Sequence, residues 1–462
     1  MFINHTQKLV RRAFLQRMGN LSLAGVAAPW ALNLASIGEA AAFTATDYKA
    51  LVCIFMYGGN DFGNTIVPFD NANYAKYQAI RVGIATAQNT LVGLTPVATA
   101  APLPFGLQYA LAPQLSPLKP LFDTGKLAVQ LNVGTLVEPT TLAQYNAKSV
   151  ALPPKLFSHN DQQSVWQASQ PEGAVQGWGG RIGDMALSNN ARSLFSCISV
   201  TGNSVFLAGQ DALQYQLSTN GAIPVTGIKS PLYGSSIASA ALNTLMTQAR
   251  SQTLENEYNA ISKRSIGAEA TVNDALGRVG PFKTANFNAT NPLAMQLQVV
   301  AKTIAARGDL GAKRQVFFVS LGGFDNHDFL VRDQPGLLAN VADAMASFYR
   351  ATEDLGIQNS VTTFTASDFG RTFASNGDGS DHGWGGHHFV LGGAVKGQQF
   401  YGDAPQVSIT SDDQVGQGRL LPSTSVDQYA ATLATWFGVT DTELRLVVPN
   451  IINYSKKNMG FV

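Results

Sequence analysis

The chain has 462 residues, a net charge of +1 and only 13% charged side chains. That balance leaves no basic footprint for nucleic acid and no acidic tail for a basic partner. Two cysteines exclude a cysteine-only zinc site, and about 420 residues behind the N-terminal segment suffice for one large α/β domain or two ordinary ones.

Residues 1–42 read as an export signal. Lys8-Leu9-Val10 leads into Arg11-Arg12-Ala13-Phe14-Leu15-Gln16, an uncharged Ala/Gly/Leu-rich stretch fills 18–38, and Ala40, Ala41 and Ala42 offer a small-residue cleavage site. The paired arginines resemble a twin-arginine signal, which makes the twin-arginine export machinery a partner and puts the mature chain, 43–462, in the periplasm or outside the cell. An uncleaved anchor is the alternative, since about 20 uncharged residues can span a bilayer. Asn20, Ser22, Asn33 and Ser36 make it a poor one. No later stretch is long and apolar enough, so no stable membrane span is expected after cleavage.

The mature chain alternates strand and helix signals. Residues 50–57 (ALVCIFMY) form a continuous apolar run of strand length, the pattern of a strand covered on both faces. A second such run is 126–133. A helix begins at Ser158. Strands are expected at 193–200 and 203–208, long helical periodicity at 238–278 and another helix at 291–307. A buried strand follows at 315–321, then a helix at 341–355, strands at 360–366 and 389–395, and a helix at 425–437. Residues 202–290 carry no histidine and form a possible helical insertion or lid. Cys53 and Cys197 sit in strand-like runs and read as buried thiols.

This β-α-β order implies a mostly parallel central sheet flanked by helices, with the C-terminal ends of its strands on one edge. Ligand sites in such sheets lie outside that edge. Asp61, Asp325, His327 and Asp368 each stand just past a predicted strand, so the topology alone gathers them. Carboxylates and imidazoles are what a divalent metal requires. His382, His387 and His388 lie in a Gly/Trp-rich stretch, DHGWGGHH, that no apolar core explains, and at least one of them is expected as a ligand. Asp378 and Asp381 read as solvated loop residues or as partners that orient an imidazole. Ser158 opens Ser-His-Asn-Asp, which also fits simple helix capping, and His159 fits a surface or hydrogen-bonding histidine.

The segments YGGNDFGNTIVPFD, FSHNDQQSVWQ, RQVFFVSLGGFDNHD, SDFGRT and HGWGGHHFVLGGAVKG resemble the exported bacterial family DUF1501, over essentially the whole mature chain. That family is similar to the alkaline phosphatase and sulfatase superfamily. The resemblance implies an alkaline phosphatase-like three-layer α/β/α fold, two metals and hydrolysis of a phosphate or sulfate ester, on a small molecule or a polymer. It implies Asp61 as a ligand after the first strand and Ser158 as the nucleophile at a helix start. Asp325 and His327 match a shortened Asp-His pair, and Asp368 an Asp-His pair whose second member is Phe369. His387 or His388 matches a final ligand, with His382 a substitute for the missing imidazole. Arg371, three residues past Asp368, reads either as a clamp for the anion or as a structural salt-bridge partner. The metals would be Zn, Mn, Ca or Mg. A catalytically inactive, exported binding protein that retains the fold is the competing expectation, favoured by Phe369.

Overall fold

The structure, a computed structural model, describes residues 45–462; the predicted signal, with Arg11 and Arg12, lies outside them. Thirteen strands occur among these residues: β1 (Lys49–Met56), β2 (Ile66–Pro68), β3 (Val92–Gly93), β4 (Tyr109–Leu111), β5 (Leu127–Gly134), β6 (Cys197–Ser199), β7 (Gln214–Ser218), β8 (Gly221–Ala222), β9 (Arg314–Leu321), β10 (Val361–Ser367), β11 (Gly386–Gly392), β12 (Phe400–Tyr401) and β13 (Thr424–Ser425). Ten of them form the central sheet, ordered β12-β5-β11-β10-β1-β9-β6-β7-β8 with β13 also on β5; β2, β4 and β3 make a small separate sheet.

The central sheet is mostly parallel. β10, β1, β9, β6 and β7 pair in parallel, while β11 is antiparallel to both β10 and β5. The apolar runs dictate this arrangement, because a strand buried on both faces needs helices above and below. In β1, Ala50, Val52, Ile54 and Met56 join one core, and Leu51, Cys53 and Phe55 join the other, the period-2 alternation of a pleated strand. β9 repeats it, with Phe317 and Val319 on one side and Val316 and Phe318 on the other. Helices Pro292–Ala305 and Leu330–Asp354 cover the first face; Trp178–Ala186 and Val426–Phe437 cover the second. Truncating a side chain such as Phe318 to alanine in cores like these costs about 3–5 kcal/mol.

Several predicted elements shift. Residues 203–208 hold a 3-10 turn at Val205–Leu207, not a strand. The periodic stretch 238–278 is two helices, Ser236–Thr247 and Thr253–Gly277, and Asn273 on the second holds both the N–H and the carbonyl of Ala222 at the sheet edge. Cys53 and Cys197 are buried free thiols. No helix among the described residues is long and apolar enough to cross a membrane.

Two departures matter for the site. The last long strand starts at Gly386, three residues before its predicted start, so His387 and His388 lie within β11. Opposite them Asn132 has a left-handed backbone, φ 46°, and the register between β11 and β5 slips there. This bulge changes the parity of β5: Leu127, Val129 and Leu131 face one core and Val133 the other.

Candidate metal centre

Five segments meet at the C-terminal edge of the parallel strands. The turns after β1, β9 and β10 supply Gly58, Asp325 and Asp368. The helix His159–Ala168 supplies its first residue. β11 runs the other way, so the residues preceding it, including His382, reach the same edge.

Gly58 and Gly59 allow the approach. Both have left-handed backbones (φ 114° and 84°), and a side chain at Gly58 would collide with the main chain of Asp325, at Gly59 with the ring of Phe369. The Gly58 amide donates to Asp368 Oδ1 at 3.1 Å, and the Gly58 carbonyl accepts from Arg371 Nη1 at 3.0 Å. Three strand ends are thereby tied to one residue.

Asp325 stands at the middle. His159 Nε2 lies 3.4 Å from its Oδ2, and the Nε2 atoms of His327 and His382 each lie 3.2 Å from its Oδ1. Arg371 Nη1 donates to the same Oδ1 at 2.7 Å. The carboxylate is 44% exposed, so the group opens to solvent. Partial burial pushes its carboxyl up, but the hydrogen bond and charge of Arg371, with His159 and His327, outweigh this and hold it below the usual range.

Each ring is held from behind. Nδ1 of His159 meets Asp368 Oδ2 at 2.6 Å, Nδ1 of His327 meets Asp381 Oδ1 at 3.2 Å, and Nδ1 of His382 meets the Phe157 carbonyl at 2.8 Å. Carboxylates and carbonyls only accept, so these partners assign the ring hydrogen to Nδ1 and turn each Nε2 toward Asp325. The Asp368 hydrogen bond carries His159 above the ordinary histidine value. Burial carries His382 below it, against the opposing pull of the Phe157 carbonyl. His382 Nε2 stands 3.2 Å from Asp325 Oδ1, two atoms of the kinds that bind divalent metals.

Among the described residues, one group of three carboxylate or imidazole side chains has ligand atoms close enough to share an ion: His159, Asp325 and His382, all within 4.8 Å of one another. Nitrogen and oxygen ligands of zinc sit about 2.0–2.2 Å from the ion, hence about 3.3 Å from each other in a tetrahedral site. His382 Nε2 stands at that spacing from Asp325 Oδ1 (3.2 Å) and His159 Nε2 from Asp325 Oδ2 (3.4 Å). The loop that presents the Phe157 carbonyl is strained, with Lys155 at φ 40° and Phe157 at φ 71°. Such residues cost about 1–3 kcal/mol each and persist where surrounding structure holds them.

The DUF1501 family model, described as a protein of unknown function, matches residues 48–447. The chain belongs to the DUF1501 family. No curated protein matches it. Solved structures similar to it include Ps i-CgsB in complex with k-i-k-neocarrahexaose (9% identity, 89% of this chain and 77% of that one, TM-score 0.35) and the lipoteichoic acid synthase LtaP from Listeria monocytogenes (9%, 91% and 81%, TM-score 0.33). A mutant of the alkaline phosphatase PafA is also similar (10%, 71% and 64%, TM-score 0.27). Likeness at this level carries no argument about chemistry.

In this DUF1501 chain the residues singled out from the sequence separate into two sets. Asp325, His327, Asp368, His382 and Arg371 come together. Asp368, however, is wholly buried and fully engaged: Oδ2 takes His159 and Gln163 Nε2 (2.7 Å), Oδ1 the Gly58 amide. It orients an imidazole as carboxylates behind metal-bound histidines do. Asp381 does the same for His327, as the sequence suggested. Arg371 is not free to clamp an anion, because it is wholly buried, Nε and Nη2 donate to the Ser380 carbonyl (Nε at 2.9 Å), and Nη1 is spent on Gly58 and Asp325.

Asp61 and His387 stand apart. Asp61 is buried with Oδ1 on the Asn64 amide (2.9 Å) and Oδ2 on Arg81 Nη2 (2.8 Å) and the Ser380 hydroxyl (2.6 Å). Removing one member of such a buried pair costs about 3–5 kcal/mol. As consecutive residues of β11, His387 and His388 point to opposite faces. His387 packs on Phe62 and Tyr109 and accepts the Asn132 amide at 3.1 Å; His388 packs on Trp166 and Tyr429. Burial drives both imidazoles down to about 3, so they are neutral core residues.

The residue undervalued in the sequence is His159. Its neighbour Ser158 occupies the helix N-cap but makes no capping bond to the backbone; its hydroxyl lies 3.2 Å from Asp161 Oδ2, which Lys155 Nζ approaches to 3.5 Å. Phe369 packs against the rings of both His159 and His382, at 4.9 and 4.6 Å, and those two rings are themselves 4.4 Å apart.

Proposed function

We propose that the protein is a metal-dependent hydrolase of phosphate or sulfate esters, with His159, Asp325 and His382 holding a divalent ion and His327 beside them. The observation that carries this reading is the convergence of three imidazole Nε2 atoms on one exposed carboxylate, each ring with its Nδ1 hydrogen spent elsewhere. Imidazole-rich donor sets favour Zn or Mn over Ca or Mg. When bound, such an ion supplies Lewis acidity toward an ester oxygen. Ser158 offers the nucleophile: its proton has a waiting acceptor in Asp161, and the positive end of helix His159–Ala168 favours an anionic group beside it. Asp368 and the Phe157 carbonyl keep the rings in place. In this reading residues 1–42 deliver the chain through the twin-arginine route to the periplasm or beyond.

A second reading, an inactive exported binding protein, is favoured by one observation: Asp61 and Phe369 offer no free ligand where the superfamily pattern has two. The test is turnover of activated aryl phosphates and sulfates by the purified chain loaded with Zn²⁺ or Mn²⁺. Turnover is expected to disappear in Ser158→Ala with metal still bound. Retained turnover would assign the nucleophile to water, and tightly bound metal with no turnover of any ester would leave the binding reading in possession.

A further inference from the structure

We propose that this edge holds one divalent cation per chain, not two, and that the buried guanidiniums of Arg81 and Arg371 supply the charge a second ion would bring. The inference rests on the reading above, that the imidazole cluster binds a metal, and adds its stoichiometry and the reason for it.

The family resemblance matches Asp61, Asp368 and the position of Phe369 to metal ligands. None of the three is available to a second ion. Both oxygens of Asp61 are consumed inside the protein by Arg81, the Ser380 hydroxyl and the Asn64 amide. Arg81 is itself wholly buried and anchored by Nε to Asn64 Oδ1 (3.0 Å) and by Nη1 to the Phe373 carbonyl (3.0 Å), so it has no route by which to yield its place. Asp368 has three donors, His159, Gln163 and Gly58. Phe369 contributes an aromatic ring against His159 and His382 and no ligand atom.

The two buried guanidiniums each answer one carboxylate: Arg81 pairs with Asp61, apart from the imidazoles, and Arg371 pairs with Asp325 among them. At Asp325, Arg371 donates to Oδ1 at 2.7 Å, the oxygen that His382 and His327 also face, and Oδ2 is left to His159.

The experiment is equilibrium dialysis of the full chain against Zn²⁺ alone and Mn²⁺ alone, with metal counted per chain by mass spectrometry. One equivalent is expected, falling to none in His159→Ala and His382→Ala and staying at one in Asp61→Asn. Should Asp61→Asn fail to fold, Ser380→Ala, which weakens Asp61's surroundings but keeps Arg81 paired, is expected to hold one equivalent as well. Two equivalents in the unaltered chain, with one lost on altering Asp61 or Ser380, would overturn the single-cation proposal and leave the hydrolase reading standing. No bound metal at all would overturn both.

Discussion

Asp61 follows β1 and Asp325 follows its neighbour β9, each within 2.8 Å of a wholly buried arginine. At Asp61 the arginine, a hydroxyl and a backbone amide satisfy the carboxylate inside the protein. At Asp325 the arginine takes one oxygen, solvent reaches the group, and three Nε2 atoms face it. Two carboxylates in equivalent chain positions therefore do different physical jobs. What separates them is the kind of neighbour and the exposure: fixed donors saturate Asp61 inside the protein, whereas Asp325 keeps an open face ringed by imidazole nitrogens.

The largest effect expected to test this contrast is at Arg81. Arg81→Ala leaves Asp61 buried without its counter-charge and should lower unfolding free energy by about 3–5 kcal/mol, read from urea denaturation; a loss below 1 kcal/mol would mean Asp61 is not structurally committed. Asp368→Asn tests the orienting role on the other side. It keeps the shape but removes the charge behind His159, and Zn²⁺ affinity should weaken about 10–100-fold by competition with a chelating dye, without loss of the binding equivalent.

The smallest effect concerns the two core histidines. In the unfolded chain they take up protons near pH 6.5, whereas in the native core they do so only near 3. Between those values the unfolded state binds more protons, so stability is fully present above pH 6.5 and falls as pH drops toward 3. From pH 7 to 5.5 the loss is about 1 kcal/mol per imidazole. Urea melts at the two pH values check it, and His388→Gln should remove roughly half of this dependence.

The sheet was readable because β1, β5, β9 and β10 are unbroken apolar runs, and burial on both faces is a property of the strand's own residues. The meeting of Asp325, His327 and Asp368 at one edge was readable for the same reason, since topology puts strand ends together, although Asp368, expected as a ligand, is buried behind His159. The fate of Asp61 was not, because the arginine that saturates it lies 20 residues away on no detectable pattern. His387 and His388 misled because pairing with β5 draws Gly386 into the strand, a tertiary effect absent from the local sequence. His159 was overshadowed by Ser158, although an imidazole in the first turn of a helix aimed at a sheet edge is itself a ligand signal.

Gly58 carries a consequence for ligand entry. Its amide, its carbonyl and its missing side chain each serve a different strand end: Asp368, Arg371 and Asp325. The three acidic turns are therefore pinned at one point. Two of the rings, of His159 and His382, arrive on other stretches of chain, whereas His327 stands two residues from Asp325 on a pinned turn. Any side chain added at Gly58 would push on the whole entrance at once.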